Sequence, residues 1–218
     1  NLNSKFVVSF AGVMGFAQGL NIVIDCAELL KSYKDILFLL VGDGVKKDGL
    51  IKKAEDMQLN NIKFLPPQHR EVYPSILFAS DICLVTLDKS VKTPVVPAKL
   101  LNIMASGRPV VASMNLKGDA PKIIKAAKCG YCVESDDVEG FSKAILKLYH
   151  NPELKDEFGM NGRKYAVKHF SRKVCIEKYE KLFLSFFSQL FSIIICLLLL
   201  RKLLVQSLQL SRYCPNYL

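Results

Sequence analysis

The chain has 218 residues, of which 50% are hydrophobic and 23% charged, with 30 basic and 20 acidic residues and a net charge of +10. This composition excludes an intrinsically disordered chain, and the length suits one or two domains with a sizeable core. The basic excess favours an anionic ligand or an anionic membrane surface. Nucleic acid is not expected as a partner, because the sequence has no zinc finger, RNA-binding signature or basic run interleaved with aromatic residues.

Six short apolar runs predict buried parallel strands, and helical patterns lie between them. The predicted strands are 6–11, 36–41, 62–65, 81–86, 110–112 and 130–134. The predicted helices are 20–30, 47–58, 71–78, 97–106 and 119–127, then one capped by Asp136 or Asp137 and one from about 153. Because crossovers between parallel strands are right-handed, this alternation predicts an α/β domain. Its sheet is doubly wound and mostly parallel, with six strands and helices on both faces.

Residues 93–113 form the most informative stretch, since they read as loop, short helix, tight turn and buried strand. Pro97 is predicted at the first helical position, where its missing N–H costs nothing. Lys99 then lies in the first turn, where free N–H groups and the helix dipole favour an anion, and Asn102 follows three residues later. The segment therefore predicts an anion platform. An ordinary loop-to-helix connection with a solvated lysine is the alternative.

The loops that follow the strands should meet at one edge of the sheet, because ligands of such sheets bind past the carboxyl ends of the strands. These loops begin at Gly12, Gly42, Pro66, Leu87 and Asn115. Gly12 and Gly15 are therefore expected to face the same crevice as Lys99 and Asn102. An NAD enzyme or an NTPase is not expected, because the glycine spacing is not GxGxxG and no P-loop is present.

The seven cysteines are odd in number and lie mostly inside apolar runs, as small buried thiols do in a reducing compartment such as the cytoplasm. Cys129 and Cys132 form a CxxC without a second pair or a nearby histidine, so no metal or redox role is predicted. Arg108, before a strand, is expected to be structural, and Asp119 is expected to cap a helix.

From these residues the sequence resembles the nucleotide-sugar-binding, Rossmann-like C-terminal half of a GT-B glycosyltransferase. More narrowly, it resembles the family 4 retaining enzymes of the colanic-acid and O-antigen type. The longest matching stretch is Val96-Pro-Ala-Lys-Leu-Leu-Asn-Ile-Met-Ala-Ser-Gly-Arg-Pro-Val-Val-Ala112. The other matching stretches are 10–20, 41–44, 62–66, 129–133, 161–165 and 169–171. The resemblance covers roughly residues 5–182, in the family's order and spacing.

The resemblance implies a transferase that moves a sugar from a nucleotide diphosphate donor to a lipid-linked or saccharide acceptor in surface polysaccharide synthesis. It implies no metal and no cofactor besides the donor. Lys99 would be the catalytic residue on this half, because its ammonium stabilises the departing diphosphate. Leu65 and Pro66 would line the base pocket. The donor-binding positions implied are Gly12, Met14, Gly15, Gln18, Leu65, Pro66, Arg70, Val95, Val96, Ala98 and Asn102. For Arg70, a solvated loop position is the alternative.

The sequence departs from the family pattern at two acidic positions and one basic pair. The two glutamates of the usual motif fall on Pro94 and Asn102, and the basic pair of the first loop falls near Val13 and Gln18. An amide can still hydrogen-bond a ribose hydroxyl, without the charge-assisted strength of a carboxylate. The site is therefore interpreted as a variant of the family site rather than a dead one. Two alternatives stay open: Lys99 replaces the missing charge, or the site binds its donor more weakly.

The C-terminal 36 residues form a separate predicted region, 183–218, after a nucleotide-sugar-binding domain at 1–182. Residues 182–200 carry no charge and could form an apolar helix, which Arg201 and Lys202 would anchor at one end of a bilayer. Three interpretations stay open: a membrane anchor at the inner, cytoplasmic face, a helix that covers an exposed face, and non-native sequence.

Two functions from different classes are compatible with these residues. The first is the donor half of a glycosyltransferase whose N-terminal acceptor half is missing here, so that the fragment is inactive alone. The second is a stand-alone, non-catalytic nucleotide-sugar-binding module, because a fold does not fix a function. A GT-B sugar-nucleotide epimerase is a third class, but its cluster of histidine and carboxylates is not visible. The chain opens almost directly on a strand, as the middle of a longer protein would.

Overall fold

A single sheet forms the centre of the computed structural model, which describes residues 4–187 and residue 200. Its strands are β1 (Phe6–Ala11), β2 (Ile36–Val41), β3 (Ile62–Leu65), β4 (Ile82–Thr86), β5 (Val110–Ser113) and β6 (Gly130–Val133). The spatial order is β3-β2-β1-β4-β5-β6, and every neighbouring pair is parallel. The doubly wound sheet predicted from the sequence is thus confirmed. Its switch point lies between β1 and β4, where the strand order reverses.

Helices cover both faces of this sheet, as predicted. They are α1 (Asn21–Leu29), α2 (Lys47–Asp56), α3 (Tyr73–Phe78), α4 (Ala98–Ser106), α5 (Asp119–Ala127), α6 (Val138–Tyr149) and α7 (Pro152–Phe170). On one face, α1 packs against α2 and α6 over the fully buried Phe10 and Phe38. On the other face, α4 packs against α3 and α7 over Val85 and Ala112. These two buried layers are the source of the fold's hydrophobic stabilisation.

Several helix starts differ by one or two residues from the prediction, and two of them involve residues for which the sequence predicts a role at the helix start. Pro97 has an extended ψ of 129° and is the residue before the helix, so Ala98 is the first helical residue and Lys99 the second. Lys99 still lies in the first turn. Gly118 takes the cap position predicted for Asp119, which instead begins α5 and pairs with Lys122 at 2.9 Å. The extended backbone of the incoming loop thus ends one residue later than predicted at α4 and one residue earlier than predicted at α5.

The cap predicted for α6 is confirmed at Asp137. Its Oδ1 accepts a hydrogen bond of 2.9 Å from the Gly140 N–H, which satisfies one of the free donors at the start of the helix.

The chain divides into two compact units, 1–170 and 171–218. In the second unit, residues 172–187 are helical. Most of the apolar run at 182–200, and the residues after it, lie outside the described part of the chain, so the three interpretations of the tail stay predictions. Within residues 4–187 and residue 200, no helix combines the length and the apolar character needed to cross a membrane.

Candidate functional site

The loops after β1, β2 and β3 are joined to one another at the carboxyl edge of the sheet. The Gly12 N–H donates to the Val41 carbonyl at 2.9 Å, and the Gly42 N–H donates to the Leu65 carbonyl at 3.1 Å. Gly12 and Gly42 have φ values of +147° and +146°, which side-chain-bearing residues rarely adopt. A Cβ on Gly42 would lie 1.9 Å from the Gly12 oxygen. These close approaches require glycine, and they hold the Gly12 loop flat beside the switch point.

Lys99 reaches from the first turn of α4 to this loop. A Cβ placed on Gly12 would lie 3.0 Å from Lys99 Nζ, so the ammonium packs directly against the glycine backbone. The same Nζ lies 3.7 Å from the centre of the Phe10 ring, a cation–π contact. The structure therefore brings together Gly12 and Lys99, two residues that the sequence predicts at the same edge of the sheet.

The ammonium of Lys99 is buried and lacks a hydrogen-bond partner. Its Nζ is shielded from solvent, and no acceptor among the described residues reaches it. Burial lowers the pKa of Lys99 from its usual 10.5 to about 8. The group therefore stays mostly charged at pH 7, with three donors unused. The N-terminus of α4 beside it has no side-chain cap, so it also presents free N–H groups. Together they form a preorganised site for an anion.

Asn102 lies one turn further along α4 and is exposed, but it has a neighbour that the sequence did not indicate. Its side chain lies near Tyr73, on α3. Burial raises the pKa of Tyr73, and the nearby amide of Asn102 opposes that rise. The amide of Asn102 carries both hydrogen-bond donors and an acceptor. Tyr73 was missed because nothing in a short helix of mixed composition marks it as a site residue.

Tyr73 also lines a pocket of about 300 Å³ beside Gly12 and Gly42. The β3–α3 loop contributes Pro67 and Gln68 to this pocket. These are the two residues that follow the predicted pair, Leu65 and Pro66, and Leu65 ends β3 with 39% of its surface exposed. Arg70 lies in the same loop and is exposed.

Three residues of the first loop shape its backbone. The Gly15 N–H donates to Gln18 Oε1 at 3.2 Å, which closes a 3₁₀ turn at Phe16–Gln18. Met14 is fully buried, its N–H donates to the Asp43 carbonyl, and its own carbonyl accepts from Lys46. Met14 belongs to the core, and the donor contact predicted for it stays a prediction.

The residues predicted to bind the donor just before α4 do not line the pocket of Tyr73. Val95 and Val96 are each 37% exposed, and Ala98, the first residue of the helix, is exposed as well. Val95 lines a second pocket, of about 180 Å³, together with Thr93 and Asn115. The site residues thus form three groups along the edge: the Tyr73 pocket, the Gly12–Lys99 junction, and the Val95 pocket.

Other reactive side chains lie away from this edge. Burial raises the pKa of the Cys129 and Cys132 thiols to about 12, and neither is disulfide-bonded. Arg108 Nη2 donates to the Phe78 carbonyl at 2.7 Å, the structural role predicted for it. Among the residues that the structure describes, no three His, Cys, Asp or Glu side chains come together in a group that could hold a metal ion.

Sequence comparisons connect this arrangement to known proteins. A sequence model of the family described as Glycosyl transferases group 1 matches residues 1–165. The putative colanic acid biosynthesis glycosyl transferase WcaI of Escherichia coli is 30% identical over 159 residues, which are 71% of this chain and 39% of WcaI. The poly(ribitol-phosphate) α-N-acetylglucosaminyltransferase of Staphylococcus aureus is 28% identical over 189 residues, which are 85% of this chain and 36% of that enzyme. The chain therefore spans less than half the length of these relatives.

Solved structures of glycosyltransferases are also similar to most of this chain. A variant of S. aureus TarM, in complex with fondaparinux, α-GlcNAc-glycerol and UDP, matches 83% of this chain and 36% of its own with a TM-score of 0.71 and 25% identity. Anabaena HepE, in complex with UDP, matches 83% of this chain and 49% of its own chain, with a TM-score of 0.72 and 20% sequence identity. The C-terminal domain of the group 1 protein LpcC from Francisella tularensis matches 78% of this chain and 88% of its own chain, with a TM-score of 0.66 and 24% sequence identity. The last two comparisons show the shared fold.

Proposed function

Because this chain belongs to the group 1 glycosyl transferases, we propose that it is the donor-binding half of an enzyme that transfers a hexose from a nucleotide diphosphate. The acceptor in this proposal is a lipid-linked or other saccharide, the anomeric configuration is retained, and the product belongs to a surface polysaccharide. The relatives' names support this choice, since WcaI is named for colanic acid biosynthesis. A nucleotide donor is supported by TarM, which was solved with UDP.

The buried and unpartnered ammonium of Lys99 is the observation that carries the proposal. A charge held in place without an acceptor is costly unless an anionic ligand occupies the site for part of the reaction cycle. A diphosphate between the Gly12 backbone and the start of α4 would supply oxygen acceptors to both the ammonium and the free N–H groups. Glycine at position 12 is what allows the phosphates to approach closely.

The three groups along the edge suggest how the donor lies. The nucleoside would occupy the pocket of Tyr73, Pro67 and Gln68, where a ribose hydroxyl could donate to the amide oxygen of Asn102. The sugar would lie toward Val95, on the other side of the helix start. The diphosphate would bridge them at the switch point of the sheet, where ligands of this fold class bind.

The chemistry that this half contributes is electrostatic. As the bond between the sugar and the diphosphate breaks, its electron pair stays on the diphosphate oxygen and negative charge accumulates there. A preorganised ammonium and helix N-terminus stabilise that charge without reorganisation, which is the usual large term in such catalysis. No nucleophile is assigned to this half.

The proposal includes an acceptor-binding half that lies outside this chain, because the chain matches only part of the length of its relatives. Since the chain spans less than half of its relatives, we assign acceptor binding to an N-terminal domain outside it and expect the fragment to bind donor without turnover. A stand-alone binding module would bind donor equally but gain no turnover when an N-terminal half is supplied. The unpaired thiols of the described residues support a reducing, cytoplasmic location, at the inner membrane face if the acceptor is lipid-linked.

Calorimetric titration of the full chain tests the diphosphate site. UDP, GDP and TDP would be compared with their nucleosides, on the wild type and on Lys99→Ala. We expect Lys99→Ala to weaken the tightest diphosphate at least tenfold, because a charge-assisted contact is lost, and to leave the matching nucleoside within about twofold. An equal loss for nucleotide and nucleoside would contradict the phosphate role of Lys99.

A further inference from the structure

An open pocket of about 600 Å³ lies at the amino edge of the sheet, at the opposite end of the strands from Gly12 and Lys99. Its lining comes from three segments: the residue before β1, the α1–β2 connection and the α2–β3 connection. The lining residues that matter here are Lys5, Lys31, Ser32, Lys34, Asn60 and Asn61. None of the described residues that line it is acidic, and three are lysines, so the lining carries positive charge.

The three lysine ammonium groups are held around the rim. Lys5 Nζ donates to the Lys34 carbonyl at 2.7 Å, and Lys34 Nζ donates to the Lys31 carbonyl at 3.3 Å. Lys31 pairs with Glu28 at 2.5 Å, which leaves a net positive charge on the group. The first two contacts also satisfy backbone carbonyls of the α1–β2 connection, a structural role. Each ammonium uses one recorded donor of three, so the rim retains unused N–H groups.

Asn61 supplies an observation that this structural role does not explain. The residue is only 9% exposed, and its Nδ2 donates to the Ala27 carbonyl at 2.8 Å. Its Oδ1 is buried and has no hydrogen-bond partner among the described residues. A buried acceptor without a donor is unfavourable in a native fold and calls for an explanation. A hydroxyl or N–H group from a ligand in the pocket would provide that donor.

We propose that this pocket is a second ligand site and that it binds a phosphorylated polyol or sugar. The phosphate would lie among Lys5, Lys31 and Lys34, and a neighbouring hydroxyl would donate to Asn61 Oδ1. Ser32 and Asn60 supply further polar contacts for hydroxyl groups. This chemistry occurs both in soluble sugar or glycerol phosphates and in the headgroup of phosphatidylglycerol. The site is independent of the donor site, because the two lie at opposite edges of the sheet.

Calorimetry on the full chain provides the test, with glycerol 3-phosphate, glucose 1-phosphate and ethyl phosphate as probes. Ethyl phosphate has the same charge without free hydroxyls, so it isolates the contribution of Asn61. The variant Lys5→Gln/Lys34→Gln leaves the Lys31–Glu28 pair intact. The control Lys52→Gln/Lys125→Gln removes the same charge from exposed positions on α2 and α5. UDP titration of both variants reports whether each remains folded with an intact donor site.

We expect saturable binding of glycerol 3-phosphate or glucose 1-phosphate, at least fivefold tighter than that of ethyl phosphate. The pocket variant should weaken this binding at least tenfold, and the control should stay within twofold. A last experiment measures binding to vesicles that contain phosphatidylglycerol. Displacement of the vesicles by glycerol 3-phosphate would identify the lipid headgroup as the ligand, and absence of vesicle binding would identify a soluble phosphate as the ligand. The proposal is overturned if no soluble phosphate binds, if ethyl phosphate binds equally well, or if both variants lose the same affinity.

Discussion

Replacement of Lys99 by methionine should make the ligand-free protein more stable while it removes diphosphate binding. Methionine has a similar length and no charge, so it can occupy the space beside Gly12 and over the Phe10 ring. In the native protein that space holds an ammonium without an acceptor. The structure therefore predicts opposite signs for stability and binding, a combination typical of a residue kept for function.

The size of the effect follows from the pKa of Lys99. Folding lowers this pKa from 10.5 to about 8, and at about 1.4 kcal/mol per pKa unit the charged form costs the fold about 3 kcal/mol. The cost is fully present below about pH 8 and shrinks as the pH rises toward 10.5, because the folded protein then holds the neutral amine. Lys99→Met also loses the cation–π contact with Phe10, which costs about 1 kcal/mol. We therefore expect the free energy of unfolding to rise by about 2 kcal/mol at pH 7.

Urea unfolding and thermal melts of wild type, Lys99→Met and the exposed control Lys52→Met would measure this gain. A gain of about 2 kcal/mol corresponds to a rise in Tm of about 5 °C for a domain of this size. The control should change neither Tm nor UDP binding. The reasoning is refuted if Lys99→Met is less stable than the wild type at pH 7 or still binds UDP as tightly. Above about pH 10.5 the stability difference should disappear.

Three further predictions concern pH, the loop glycine and a helix cap. UDP affinity should fall up to about tenfold between pH 7 and pH 9 as Lys99, with its pKa of about 8, loses its proton, and a flat calorimetric profile would contradict this. Gly42→Ala should cost about 3 kcal/mol in urea unfolding, because its Cβ would lie 1.9 Å from a backbone oxygen. Gly49→Ala, whose Cβ meets nothing within 4 Å, should cost nothing. Asp137→Ala should cost about 1 kcal/mol by loss of the α6 cap, with Asp137→Asn close to wild type.

Local patterns in the sequence were sufficient for the elements of the fold. Most strands are short apolar runs, and helices such as α1 and α6 have a periodic apolar stripe. Both signals come from residues that are neighbours in the chain. Because the predicted strands are parallel, every loop after a strand lies at one edge of the sheet. Gly12, Lys99 and Asn102 could therefore be assigned to one crevice before the structure was known. The one-residue differences at Pro97 and Asp119 show the limit of cap signals.

The chain's sequence alone thus determined the class of fold, and it predicted the edge of the sheet that carries the candidate site and Lys99 as the cation there. Only the tertiary structure decided where the ends of the side chains lie: Lys99 Nζ over Phe10, Asn102 near Tyr73, and Met14 inside the core. These contacts join residues from different elements, and their geometry depends on how helices pack across a sheet. Periodicity reports which face a residue occupies, but it carries no information about the distant atom that its side chain meets.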